Sequence, residues 1–254
     1  MQDETSPELQ VVLPVHNESS VVASVVNEWC GQLDRCSVRY VLAAIDDGST
    51  DDTRTVLAAL QRKWGQRLEV VHQENRGHGQ TALRGYRLAA DRRIPWVFQI
   101  DSDGQCDPVY FPRLWEAREG HDIISAYRIR RGDGRSREWI SFGLRWFIFL
   151  LSGTYCRDAN VPYRLMRTAS ITPLLGKIPP TFSLANVALA ILARRARLRH
   201  YFVPITFRAR QGGSPAVSSL GFAVKAIDLY KSLRDAVASH WPDAAPAKLK
   251  GLSS

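Results

Sequence analysis

Trp96-Val97-Phe98-Gln99-Ile100-Asp101-Ser102-Asp103-Gly104-Gln105 runs from an apolar strand directly into a polar loop. The loop carries carboxylates at i and i+2 and a side-chain amide two positions later. Together these are hard oxygen donors suited to Mg²⁺ or Mn²⁺ shared with phosphate oxygens. Taken alone, the pair reads more simply as loop acids capping the following helix. Three earlier segments repeat the passage from strand to turn to helix: Leu9 to Val15 before a helix over 19–33, Val38 to Ile45 before one over 52–64, and Leu68 to His72 before one over 80–90. Each strand is a short apolar, β-branched run, and the helices have apolar residues at helical spacing. Four such units predict an α/β chain with a doubly wound, mostly parallel, Rossmann-like sheet. Such sheets bind ligands at the carboxyl ends of their strands, which would bring Asn17-Glu18, Asp46-Asp47 and Asp101 to Gln105 to one edge.

Beyond Asp122 the alternation changes. Ile123 to Tyr127 predicts a strand, 128–137 an Arg/Gly loop, 139–151 an apolar helix, 152–181 an irregular stretch, 182–196 a helix, 199–207 a strand, and 216–237 a last helix after the loop 208–215. With 45% hydrophobic and 23% charged residues, the chain is neither disordered nor collagen-like. Its 34 Lys and Arg against 25 Asp and Glu give a formal charge of +9, but the excess is regional. Positions 159–227 contain ten basic and no acidic residues, and the rest is nearly neutral at 24 against 25. A block of this kind implies an anionic partner such as nucleic acid, anionic lipid or phosphate. Cys30, Cys36, Cys106 and Cys156 show neither paired spacing nor a His-rich ligand pattern and read as reduced thiols. Met1 to Leu9 lacks the basic start and apolar core of a secretory signal. The stretch 139–151, WISFGLRWFIFLL, carries Arg145 and falls short of the roughly 20 residues a spanning helix needs.

The motifs, taken in order, resemble those of family 2 glycosyltransferases with the GT-A fold, and within them the dolichol-phosphate mannose synthase-like branch that uses polyprenyl phosphates. Leu13-Pro14-Val15-His16-Asn17-Glu18 resembles the first-strand P-x-x-N-E motif, and Ile45 to Thr53 the I-D-D-G-S-x-D-x-T motif. Asn75-Arg76-Gly77-His78-Gly79, with Ala82 and Gly85, is similar to N-x-G-x-G-x-A-x-x-G, and Asp101 to Pro108 to D-x-D-x-Q-x-x-P. Arg157-Asp158 through Arg164 parallels D-x-x-x-G-F-R, with Val161-Pro162-Tyr163 in place of the usual pattern. Val203 to Arg210 with Gly212 to Ser214 resembles V-P-I-x-F-x-x-R…G-x-S, although Pro215 stands where a Lys often follows and the spacing is one residue shorter.

The resemblance implies an enzyme: a metal-dependent, inverting glycosyltransferase that moves a sugar from a GDP- or UDP-sugar to a polyprenyl phosphate. It implies one domain over 9–237, with a nucleotide-sugar half (9–122), an acceptor half (123–237) and C-terminal interfacial helices, between a flexible 1–8 and a mobile tail 238–254. Pro14, His16 and Glu18 would line the nucleoside pocket, Asp47 would read the base edge, and Ile45, Gly79, Asp101 and Ser102 would complete the nucleotide-sugar set. For His16 and Asp46, ordinary turn and packing roles stand beside the functional ones. Asp101, Asp103 and Gln105 would hold Mg²⁺ or Mn²⁺.

A hydroxyl acceptor needs a general base. The region where the family places that acid, Phe182 to Leu189, has none. A phosphate acceptor is already an anion and needs cations instead. In this branch the matching positions are Arg128, Arg137 and Arg210, with Arg208 as neighbour and understudy, so that all four would bind the acceptor phosphate; Asp103, Arg128, Arg137 and Arg210 form the expected catalytic set. Trp139, Phe142, Trp146, Phe147 and Phe149 suit a helix lying on a bilayer, with a buried core helix or a subunit contact as the rival. Arg194 to Arg199 suits lipid headgroups or a solvated face. The expected location is cytoplasmic, peripheral to the inner face of the membrane, with room for a separate membrane-anchoring subunit. The other readings are a soluble or secondary-metabolite acceptor, an inert nucleotide-sugar-binding scaffold, and a nucleic-acid surface. The last is disfavoured because the aromatics gather in one apolar helix instead of interleaving with exposed basic residues, so no nucleic-acid partner is expected.

Overall fold

The computed structural model describes residues 6–129, 161–178 and 184–209. Its strands are β1 (Leu9–Val15), β2 (Tyr40–Asp47), β3 (Leu68–Gln73), β4 (Trp96–Gln99), β5 (Ile123–Arg128), β6 (Arg164–Arg167) and β7 (His200–Ile205). They form one seven-stranded sheet in the order β3-β2-β1-β4-β6-β5-β7. All neighbours are parallel except β6, which runs antiparallel to both β4 and β5. The helices are α1 (Val22–Arg35), α2 (Thr53–Trp64), α3 (His78–Asp91), α4 (Phe111–Glu116), α5 (Thr168–Leu175) and α6 (Ala185–Arg195).

Alternation along β1 sets the two faces of the sheet. Leu9, Val11, Leu13 and Val15 pack with Val22, Val25, Val26, Trp29 and Leu33 of α1, which recur at helical spacing. Trp29 is fully buried, with ring centroids 5.3 Å from Phe98, 6.3 Å from Phe111 and 5.6 Å from Tyr163. This aromatic cluster supports the chain on both sides of the 101–107 loop. Val12 faces the opposite layer, built from α3, α5 and α6. There Gly85 meets β1 so closely that a Cβ would overlap the Val12 side chain, and Gln10 Nε2 donates to Gly85 O at 2.7 Å. The last glycine of the third motif is therefore a close-packing residue.

The α/β architecture with a mostly parallel sheet is as expected, and the first four strands and the helices after the first three fall within two residues of their predicted bounds, apart from the first helix, which starts at Val22 instead of 19. The stretch 152–181 is corrected: its described part contains β6 and α5. Only Leu165 and Met166 alternate between two arginines in β6, too short a run to show a period. Pro173 inside α5 reads as a breaker, yet the helix continues past it. Hydrogen bonding also begins before β1, where Glu8 N donates to Arg39 O and Glu8 O accepts from Trp96 N. Helices 139–151 and 216–237 and the tail 238–254 lie outside the described residues. Among the described residues, no helix is long and apolar enough to cross a membrane.

Candidate active site

The parallel register brings the ends of β1, β2 and β4 together, with Pro14 opposite Ile45 and Gln99 opposite Val12. Pro14 and Ile45 are buried at this edge, and His16 is exposed above it. His16 Nδ1 lies 2.8 Å from Asp47 O. Asn17, held at φ 54°, stitches the two loops by donating from its amide to Ser49 Oγ (3.0 Å) and accepting from Thr50 N (2.7 Å). Glu18 is buried, and its amide donates to Thr53 Oγ1 at 2.9 Å. Gly48, at φ 69°, leaves no room for a side chain against Asn75 N.

The two aspartates that end β2 do different work. Asp46 is fully buried and accepts from Ser49 N, Arg54 Nε and His72 Nδ1. Burial alone would push its carboxyl up, but the bonds from Ser49, His72 and Arg54 outweigh burial and hold it below its usual range. This is a structural carboxylate. Asp47 Oδ1 accepts from Gln73 Nε2 (2.6 Å) and Arg76 N (2.8 Å), and Oδ2 from Gly77 N (2.9 Å). Gln73 is itself oriented by Thr81 and by Arg84 Nη1 at 2.9 Å. Asp47 thus holds the loop that leads into α3, a role its position in the motif did not reveal. Gly79 is the second residue of that helix.

Asp101 and Asp103 stand on the loop after β4. Asp103 and Ser102 are largely buried, while the Asp101 side chain keeps 30% of its surface. Asp103 Oδ1 accepts from Gln105 N at 3.0 Å, which turns the loop back on itself. His78, the first residue of α3, places Nε2 2.9 Å from Asp101 Oδ1. Desolvation lowers the basicity of His78, yet Asp101, Asp103 and Asp47 together raise it above the usual imidazole value. Sequence reasoning passed over His78; its place between the two glycines of the third motif was the available signal. The donor set fits a hard divalent cation, with two carboxylates and an amide within five residues. Among the described residues, no three His, Cys, Asp or Glu side chains converge into a ready cage.

In the second half of the chain, the backbone of Arg128 ends β5 opposite Ile205, at the same edge of the sheet. Arg164 is buried on β6, where Nε donates to Val161 O (3.0 Å) and Nη1 to Asn186 O (3.2 Å), tying β6 to the start of α6. Asn186 meets the buried Tyr86 hydroxyl at 2.9 Å. Arg208 does not stand as a free cation: Nη1 donates to Glu28 Oε2 (2.7 Å) and Nη2 to Asp107 Oδ1 (2.8 Å). Arg137 and Arg210 lie outside the described residues, as do Arg157-Asp158 and Gly212 to Ser214.

A model of glycosyl transferase family 2 matches residues 10–174. The undecaprenyl-phosphate 4-deoxy-4-formamido-L-arabinose transferase of Edwardsiella ictaluri is 27% identical over 170 residues, covering 66% of this chain and 51% of that protein. The protein of the same name from Pseudomonas aeruginosa is 27% identical over 172 residues, covering 66% and 49%. The chain thus spans about half the length of the curated relatives it matches. Among solved structures, glucosyl-3-phosphoglycerate synthase from Mycobacterium tuberculosis with UDP superposes with a TM-score of 0.64 at 20% identity, covering 92% of this chain and 82% of that one. Its complex with Mn²⁺, UDP-glucose and phosphoglyceric acid gives 0.63 at 19%, covering 96% and 82%. At these identities the likeness is one of fold.

Proposed function

The chain belongs to glycosyl transferase family 2, and from that premise we propose that it transfers a sugar from a GDP- or UDP-sugar to a polyprenyl phosphate. One observation carries the choice of acceptor. No Asp or Glu occurs anywhere in 159–227, including Leu184 to Leu189 at the start of α6, where a base for a hydroxyl acceptor would stand. A phosphate oxygen attacks the anomeric carbon without losing a proton, and the bond to the nucleoside diphosphate breaks with inversion. Arg128, Arg137 and Arg210 hold the attacking phosphate. Pro14, His16, Glu18, Ile45, Gly79 and Ser102 line the nucleotide-sugar pocket, with Asp47 at its base end.

Asp101, Asp103 and Gln105 would hold Mg²⁺ or Mn²⁺, which when bound neutralises charge on the leaving diphosphate. In this reading the protein works at the inner face of the cytoplasmic membrane, with 139–151 lying on the bilayer and room for an anchoring subunit. The names of the curated relatives, which act on undecaprenyl phosphate, support the acceptor class.

A panel of GDP- and UDP-sugars with Mn²⁺ and a short polyprenyl phosphate tests the proposal. Transfer to the lipid phosphate, lost in Asp103→Ala and Arg210→Ala, is the expected result. Equal transfer to the lipid alcohol, or indifference to Arg210→Ala, overturns the phosphate nucleophile and leaves a soluble acceptor as the alternative.

A further inference from the structure

We propose that Arg208 is a positioning residue and not a ligand of the acceptor phosphate: it pins the chain after β7 to the loop that carries Asp101, Asp103 and Gln105. The kinetic half of this inference rests on the acceptor reading above; the structural half does not.

Four contacts meet at Arg208 from distant parts of the sequence, one of them from Gln105 Nε2, which donates to the Arg208 carbonyl at 3.5 Å. Nη2 reaches Asp107 Oδ1 at 2.8 Å, Nη1 reaches Glu28 Oε2 of α1 at 2.7 Å, and the Arg208 amide donates to Gln105 O at 3.0 Å. Asp107 is a firm anchor, because its Oδ1 also accepts from Val109 N at 3.0 Å and its carbonyl from the Tyr163 hydroxyl at 3.0 Å. One guanidinium facing two carboxylates leaves that corner with a net charge of −1, which repels a phosphate instead of attracting it. A phosphate at Arg208 would have to share the guanidinium with two carboxylates that already hold Nη1 and Nη2. The same arrangement serves well as a pin. It sets the distance between the 101–107 loop and residues 206–209, and so fixes the point from which the chain continues to Arg210.

Asp107→Asn separates the two roles. Asparagine keeps an oxygen to cap Val109, and Arg208 keeps its charge, but the pin loses its charged half. As a pin, Arg208 released by Asp107→Asn or by Arg208→Ala lets the amides of 203–209 exchange about tenfold faster in hydrogen-exchange mass spectrometry. KM for a short polyprenyl phosphate then rises by about tenfold in both variants, with KM for the donor little changed, and the double variant is no worse than Arg208→Ala alone. As a ligand, Arg208→Ala raises the acceptor KM while Asp107→Asn lowers it or leaves it alone, and that pattern overturns the inference. Unchanged exchange in Asp107→Asn overturns it whatever the acceptor. Faster exchange in a protein that ignores lipid phosphate keeps the pin and rejects the acceptor reading.

Discussion

Nε2 of His78 lies 2.9 Å from Oδ1 of Asp101, joining the first residue of α3 to the loop after β4. A hydrogen bond to one oxygen fixes the plane of the carboxylate and leaves its second oxygen directed elsewhere. Removing an orienting partner of this kind costs about tenfold or more in metal affinity. His78→Ala is accordingly expected to weaken Mn²⁺ binding in the presence of nucleoside diphosphate by about tenfold, read by electron paramagnetic resonance, with partial recovery in His78→Asn. Unaltered Mn²⁺ affinity would assign the contact to the fold alone.

The approach of α3 to β1 at Gly85 makes a stability prediction. Gly85→Ala forces a methyl into the Val12 side chain, and overpacking of this sort costs about 1–3 kcal/mol. Val12→Ala in the same chain removes the atoms in conflict, so the double variant should unfold closer to wild type than the sum of the single changes. Simple additivity in thermal or urea denaturation would show that the helix has room to shift.

Asp47 holds Arg76 N and Gly77 N in place. Asp47→Ala is expected to speed amide exchange over 74–79, to lower stability by about 1–3 kcal/mol, and to weaken nucleotide binding. A loss of nucleotide affinity with unchanged exchange in that loop would mean that Asp47 acts on the base only.

Asp122 ties β5 to β7 and α5. Its carboxylate accepts from Arg199 N (2.9 Å), Arg199 Nε (3.3 Å) and Ser170 Oγ (2.9 Å). Burial opposes its ionised form, but the Arg199 and Ser170 bonds prevail and hold the carboxyl below its usual value of 3.8. A depressed folded-state pKa contributes stability that is present above the unfolded value and is lost as pH falls through the folded one. Asp122→Asn should therefore cost about 1–3 kcal/mol near neutral pH, and the gap to wild type should narrow below pH 3.8. Urea titrations at the two pH values check this; a gap independent of pH would remove the charge from the explanation.

The interfacial reading of 139–151 is checked by sedimentation with anionic liposomes. Trp146 and Phe147 changed together to Ser should reduce binding, since each removes apolar area from the bilayer boundary. Unchanged binding would count against it.

The half of the chain before Asp122 was legible because each strand there is an apolar run closed by turn residues, and the motif order located the acids. What escaped was held by distant partners. Asp46 and Asp47 look alike in sequence, and only the fold shows one held by Ser49, Arg54 and His72 and the other by the backbone amides of Arg76 and Gly77. Arg208 reads as a cation because Glu28 is 180 positions away. Strand β6 was missed because two apolar residues between arginines carry no period, although Leu165 and Met166 serve opposite cores.

The reversed direction of β6 has a consequence for where the chain leaves the sheet and re-enters it. Because β5 ends and β6 begins at the same edge, with Ala126 N bonded to Tyr163 O at 2.8 Å, the chain between them leaves from and returns to a single threshold. Arg128 and Arg164, where the one strand ends and the other begins, thus stand at the sheet edge where β4 and β7 also end.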